Sequence, residues 1–148
     1  MSSQKTVRYE TTLLVRDCCL CLHVQRAARA LARHFDEVLR PFDLTNGQFS
    51  LLMSLNRPEP PPMGPVASLL AMDRTTLTAA LKPLVRRGLV KVLEDQADRR
   101  SRVLKLTAKG HDLLLRALPV WESTHRDIEQ RIPGGNPEEL RKSLRALA

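Results

Sequence analysis

Between Asp73 and Gly110 the chain carries a helix with two chemically opposed faces, a glycine that ends it, and two short apolar runs around a cluster of arginines. Asp73 can accept the free amides of a first turn that starts at Arg74, and Gly88 can take the left-handed position past the last turn. At about 3.6-residue spacing, Leu77, Leu81, Leu84 and Val85 fall on one face, while Thr75, Ala79, Lys82 and Arg86 fall on the other with Thr78 at its edge. One face predicts core. Pro83 lies inside this helix and is expected to bend its last turns against the Ala79 carbonyl.

After Gly88, the runs Leu89-Val90-Lys91-Val92-Leu93 and Arg102-Val103-Leu104-Lys105-Leu106 are rich in branched apolar residues and predict a hairpin. Its tip sets Arg99, Arg100 and Arg102 beside Asp98, as arginines held for a narrow minor groove would be. On the polar helix face, small and hydroxylated residues permit close approach to base edges, and Lys82 and Arg86 reach bases or phosphate. The residue chemistry points to a DNA reader, against the plainer reading of a solvated face and turn. The candidate contacts are Arg74, Thr75, Thr76, Thr78, Ala79, Lys82, Arg86, Arg99, Arg100 and Arg102.

Charge agrees. The 148 residues have a net charge of +8 and a pI of about 10.1. Ten bases against four acids lie between Asp73 and Gly110. Such focusing attracts phosphate and predicts strongly salt-dependent binding. Tyr9, Trp121, Phe35, Phe42 and Phe49 are the only aromatics and none interleaves with the basic cluster, so duplex DNA is a better partner than unpaired bases. No apolar stretch is long and uncharged enough to span a bilayer and no signal sequence opens the chain, so no membrane partner is expected and the chain reads as cytoplasmic.

The ordered series Met72-Asp73-Arg74-Thr75-Thr76-Leu77-Thr78, Leu84-Val85-Arg86-Arg87-Gly88-Leu89-Val90, Asp98-Arg99-Arg100 and Leu106-Thr107-Ala108-Lys109-Gly110 resembles the winged helix-turn-helix of the MarR family. Upstream, Val66-Ala67-Ser68-Leu69-Leu70-Ala71 resembles the first helix of that motif, and Leu44-Thr45-Asn46-Gly47-Gln48-Phe49 the start of the helix before it. The resemblance covers roughly residues 13 to 130. It implies a mainly α (α+β) fold: a winged helix-turn-helix whose N- and C-terminal helices form a dimerisation body. Residues 1–148 would be a single domain, with 1–43 and 108–148 as dimerisation helices and 44–107 as the winged-helix DNA-binding lobe. The implied function is a homodimeric transcriptional repressor on a near-palindromic operator.

The flanking segments carry helical rows. From Leu13 to Arg40, Leu14, Cys18, Cys21, Ala28, Ala32, Phe35 and Leu39 form one apolar row around Gln25, and Leu20, Val24, Ala27, Leu31 and Val38 a second, which predicts a helix buried on more than one side. From Ala108, capped by Thr107, Leu114, Leu118, Trp121, His125, Ile128 and Ile132 form a coiled-coil-like seam, with Pro119 expected to bend it or divide it into two helices. After Pro133-Gly134-Gly135, Asn136 and Pro137 start a last helix with Leu140, Leu144 and Leu147 on one face. From pattern alone these rows serve a partner copy or the chain's own core equally well. Pro58-Glu59-Pro60-Pro61-Pro62 reads as a stiff loop with no regular element.

Cys18, Cys19 and Cys21 all lie on the first helix. A closed zinc site needs four ligands, which this helix does not supply, so neither metal nor cofactor is expected. The position of Cys21 resembles the reactive cysteine of the family's organic-peroxide sensors, but Gln25, Phe35 and Asn46 stand where those sensors carry tyrosines. A thiol on an apolar face without hydroxyl partners is expected to react slowly, with Arg16 and Arg26 the nearest cations and inert packing the default. The family more usually answers to a small phenolic or aromatic anion, for which Gln25, Arg29, Phe35, Phe49 and His125 are candidate residues, Cys21 a further wall. An enzyme would need a nucleophile beside a base; Cys21 has none, and His23, His34, His111 and His125 are scattered. Three readings stay open: a ligand-released repressor, a thiol-based redox-sensing repressor using Cys21, and a winged-helix protein-interaction module without DNA binding.

Overall fold

The computed structural model describes residues 6–148, which divide into two units, residues up to His34 and Phe35–Ala148. The first unit holds α1 (Tyr9–Cys18) and most of α2 (Leu20–Leu39). Apolar spacing predicts one unbroken helix from Leu13; instead the backbone turns extended at Cys19, with ψ 108°. The Cys19 thiol accepts the Leu22 amide at 3.4 Å. It stands where a hydroxyl usually caps a first turn. The two apolar rows also lie open on this unit, with Leu14 61% and Leu20 71% exposed, where the pattern predicted burial.

The second unit continues from the end of α2 through a short 3-10 turn (Arg40–Phe42), α3 (Asn46–Ser54), α4 (Met63–Leu69), α5 (Arg74–Arg86), β1 (Val90–Glu94), β2 (Arg102–Leu106), α6 (Ala108–Glu129) and α7 (Pro137–Ala146). Thr45 and Gln48 begin α3 reciprocally: the Gln48 amide donates to Thr45 Oγ1 and the Thr45 amide to Gln48 Oε1, both at 3.1 Å. That pair satisfies two amides a helix start otherwise leaves free. The core then gathers Leu39, Leu51, Leu52, Leu55, Val66, Leu77, Leu84, Leu89, Val90 and Leu104, all essentially without exposure. Leu113, Leu114 and Ala117 of α6 complete it, and Leu118, Trp121 and Ile128 pack against it. Much of the row predicted as a coiled-coil seam therefore serves this unit's own core.

Both internal prolines are tolerated: α5 runs through Pro83 and α6 through Pro119 as single helices. β1 and β2 pair antiparallel with Val90 opposite Leu106 and Glu94 opposite Arg102. The proline-rich stretch is more ordered than its composition suggests, because the Leu104 amide donates to the Pro61 carbonyl at 2.8 Å and Pro62 bridges to Val103. Proline cannot donate to a ladder but its carbonyl can accept, so one rung forms on the wing's edge.

The start of α6 is fastened to the end of α5. Thr107 Oγ1 donates to the Gly88 carbonyl at 2.7 Å and accepts the Gly110 amide at 3.0 Å. Here α6 approaches so closely that a Cβ on Gly110 would sit 2.4 Å from the Leu89 oxygen. At the far end, Asn136 Oδ1 accepts the Glu139 amide at 3.1 Å to start α7, and Arg141 joins Glu138 at 2.9 Å and Glu129 at 2.6 Å. The α7 leucines remain open, Leu140 and Leu144 at 43% and Leu147 at 66%. Among the described residues no helix is long and apolar enough to cross a membrane.

Candidate nucleic-acid interface

The direction of α5 is set by the turn from α4. There the Met72 amide donates to the Ala67 carbonyl at 2.8 Å and the Ala71 amide to Ser68 at 3.1 Å, with Ala71 at φ 52°. This is the left-handed helix stop that glycine usually fills. Asp73 Oδ1 accepts the Thr76 amide at 2.7 Å. That hydrogen bond holds the Asp73 carboxyl below its ordinary value. At the other end Gly88, at φ 71°, donates to Val85 at 2.9 Å while Leu89 donates to Leu84 at 3.0 Å. Leu84 and Leu89 are both buried, the apolar clasp that accompanies such a stop.

Between these stops Leu77, Leu81 and Leu84 are buried, whereas Arg74, Thr75, Thr76, Thr78, Ala79, Lys82 and Arg86 are exposed. Val85, predicted as core, is exposed too. At about 100° per residue it lies about 80° round from Leu77, at the margin of the apolar face. The Thr78 hydroxyl donates to the Arg74 carbonyl at 2.7 Å, so its oxygen remains as an acceptor.

On the wing, Asp98 plays a different part from the one its neighbours suggested. Its Oδ1 accepts the Arg100 amide at 3.0 Å and its carbonyl accepts the Ser101 amide at 2.9 Å. The carboxylate shapes the tip's backbone, and no ion pair among the described residues joins it to an arginine. Arg102 is braced, with Nη1 donating to the carbonyls of Arg99 at 3.2 Å and Ser101 at 3.3 Å, and Nη2 lying 3.9 Å from Glu94. Arg99 and Arg100 are exposed.

The helix and the wing enclose a groove of about 580 Å³. Met63, Leu81, Val85 and Val92 supply its apolar part, and Arg74, Lys82, Arg86, Arg100 and Arg102 its charge, with no carboxylate in the lining. Five cations facing one groove attract a polyanion, and the exposed hydroxyls of α5 stand beside them for base edges.

The other candidate residues fall elsewhere. Gln25 and Arg29 lie exposed on α2 in the first unit, where Gln25 Nε2 donates to the Cys21 thiol at 3.3 Å. Cys18 and Cys21 are exposed free thiols and Cys19 is half-buried, so on this unit Cys21 is not the packed cysteine expected. In the second unit Phe35, Phe49 and His125 meet around Trp121, at centroid separations of 6.3, 5.8 and 4.7 Å. His125 Nδ1 also lies 3.6 Å from Glu129 Oε1. Trp121 is the hub the sequence reading did not single out, although it stands four residues before His125 in the same helical row. Among the described residues no group of three or more His, Cys, Asp or Glu could hold a metal ion.

Comparison with known proteins matches residues 44–101 to the MarR family. The chain is 31% identical over 107 residues to the transcriptional regulator HosA of Escherichia coli O111:H-, covering 71% of this chain and 78% of that one. It is 27% identical over 141 residues to the transcriptional repressor MprA of Escherichia coli K12, covering 94% and 77%. Among solved structures, it is similar to the M. tuberculosis transcriptional regulator MosR in complex with DNA, with a TM-score of 0.79 and 34% identity over 87% of this chain and 92% of that one. The chain therefore belongs to the MarR family of winged-helix, DNA-binding transcriptional regulators, and is not an enzyme.

Proposed function

We propose that two copies of this chain bind a near-palindromic operator as a homodimeric repressor, each placing α5 in a major groove and its wing tip in the adjacent minor groove. Residues 44–107 act as the reading lobe, and the helices of 1–43 and 108–148 join the copies. The observation that carries this reading is the single groove onto which Arg74, Lys82 and Arg86 of α5 and Arg100 and Arg102 of the wing converge. Thr75, Thr76, Thr78 and Ala79 face the bases, with Arg99 and Arg100 at the tip. The similarity to MprA, a repressor by name, favours repression over activation. The regulator acts in the cytoplasm, where its operator lies.

A small phenolic or aromatic anion releases the operator. The half-buried rings of Trp121 and His125, backed by the buried Phe35 and Phe49, offer it a stacking surface, and a bound ligand favours a dimer whose reading helices no longer match successive major grooves. A redox reading is supported by a different observation: the Cys21 thiol is exposed and accepts a hydrogen bond from Gln25. A module that binds only proteins is disfavoured by the concentration of cations in the groove.

One gel-shift series tests all three, using DNA upstream of the chain's own gene with and without a phenolic acid and with and without peroxide. Release by the phenolic acid supports the ligand reading. Release by peroxide from the wild type but not from Cys21→Ser supports the thiol reading, and failure to shift any duplex at low salt would contradict operator binding altogether.

A further inference from the structure

We propose that Lys91 and Lys105, on the wing face turned away from α5, clamp phosphates of the duplex beyond the minor groove that the tip enters. The inference rests on the operator reading above. It starts from a like-charge pair: Lys91 and Lys105 stand directly opposite one another in the β1–β2 ladder. Side chains directly opposite lie on one face with Cβ atoms roughly 5 Å apart, and like charges there destabilise a hairpin.

Alternation along the strands fixes which face this is. Val92 and Arg102 line the groove beside α5, and Leu104 is buried. Lys91 and Lys105, one residue removed along each strand, therefore point the other way. Glu94 lies opposite Arg102 and faces it at 3.9 Å, on the α5 side. Neither lysine has an ion-pair partner among the described residues. Lys105 further lines a hollow of about 310 Å³ together with Arg57 and His111, and no carboxylate lines it. Among the described residues the two lysines on the back of the wing thus lack a salt-bridge partner, which an anion would supply.

Duplex DNA is the anion that geometry favours. With α5 in a major groove and the tip in the next minor groove, the opposite wing face looks further along the same duplex. Two wings sharing one central groove would repel, so each takes an outer groove and its back face meets DNA outside the core operator. The flexible lysine stems let two closely set charges reach separate phosphates.

The test compares the full-length wild type with the double variant Lys91→Gln/Lys105→Gln. Fluorescence anisotropy is read on two duplexes: a footprinted core operator and the same operator extended by one helical turn at each end. The wild type is expected to bind the extended duplex more tightly and with the steeper salt dependence. The double variant should keep its affinity for the core, lose the gain from the extension, and show a log-log salt slope on the extended duplex flatter by about two per chain. Its urea midpoint should rise, because the repulsion is gone. A variant that keeps the full gain and slope would overturn the clamp, as would equal loss on both duplexes or a lowered midpoint. Absence of wild-type binding to either duplex would overturn the operator reading itself. If the lysines served an acidic protein instead, the variant would bind both duplexes as the wild type does.

Discussion

Asp73 couples the acid stability of this molecule to the start of α5. Its carboxyl is held below its ordinary value by the Thr76 amide. The cap's contribution is therefore complete above the ordinary carboxylate range and is lost as pH falls through the depressed value. Asp73→Asn keeps an acceptor at the cap but removes this titration, so urea midpoints measured against pH should fall less steeply on the acid side than in the wild type. Ala71 makes the opposite case, a residue with a side chain in the left-handed position of the turn. Ala71→Gly should raise stability by up to about 1 kcal/mol, offset in part by the freer unfolded chain, as denaturant titration would show. The caps at Asp73, Thr107 and Asn136 and the stop at Gly88 were all legible in sequence, because each is a local exchange between one side chain and a neighbouring amide or carbonyl. Cys19 was not, since thiols seldom cap helices and the apolar rows run through the break without a change of spacing. Asp98 was misread for a related reason: proximity in sequence does not say whether a carboxylate meets a guanidinium or a backbone amide.

At the scale of elements, the first turn of α6 lies close against the Gly88–Leu89 segment that follows α5. Gly110→Ala would bring a methyl carbon to 2.4 Å from the Leu89 carbonyl. It should destabilise the fold by about 1–3 kcal/mol, read as a lowered denaturation midpoint, because the obstacle is backbone that cannot rotate aside. The wing tip behaves differently, since Arg100 is exposed and, among the described residues, its side chain enters no hydrogen bond or ion pair. Arg100→Ala should weaken operator binding at fixed salt with the denaturation midpoint unchanged, and unchanged affinity would remove this residue from the minor groove. The helix, hairpin and helix order from Asp73 onward could be read from periodicity and turn residues, with strand ends displaced by at most one position. The two prolines inside α5 and α6 could not be judged that way. A proline's lost hydrogen bond and ring clash are local, while the packing that holds a helix across it is tertiary. Val85 escaped for the same reason, as the arc of a helix that neighbours cover is decided by the neighbours.

For the whole molecule, what the chain leaves uncovered is as informative as what it buries. Leu14 and Leu20 on the first unit, and Leu140, Leu144 and Leu147 on α7, are exposed apolar side chains on helices whose other faces are polar. Such rows suit burial against a second copy, and Leu140→Glu/Leu144→Glu should shift sedimentation toward a monomer if α7 belongs to the joining surface. Sequence periodicity found these rows but could not assign them. The α6 row went largely to the chain's own core, whereas the α7 face remains free. The candidate interface was legible because charge and hydroxyl placement on a two-faced helix is readable along the chain. The stacking of Phe35, Phe49 and His125 on Trp121 was not, since it joins residues from three helices. The most direct test is sedimentation of the full chain with its operator duplex over a series of salt concentrations. Two chains per duplex, with log affinity falling linearly as log salt rises, is the predicted result. One chain per duplex, or no complex in dilute buffer, would contradict the account.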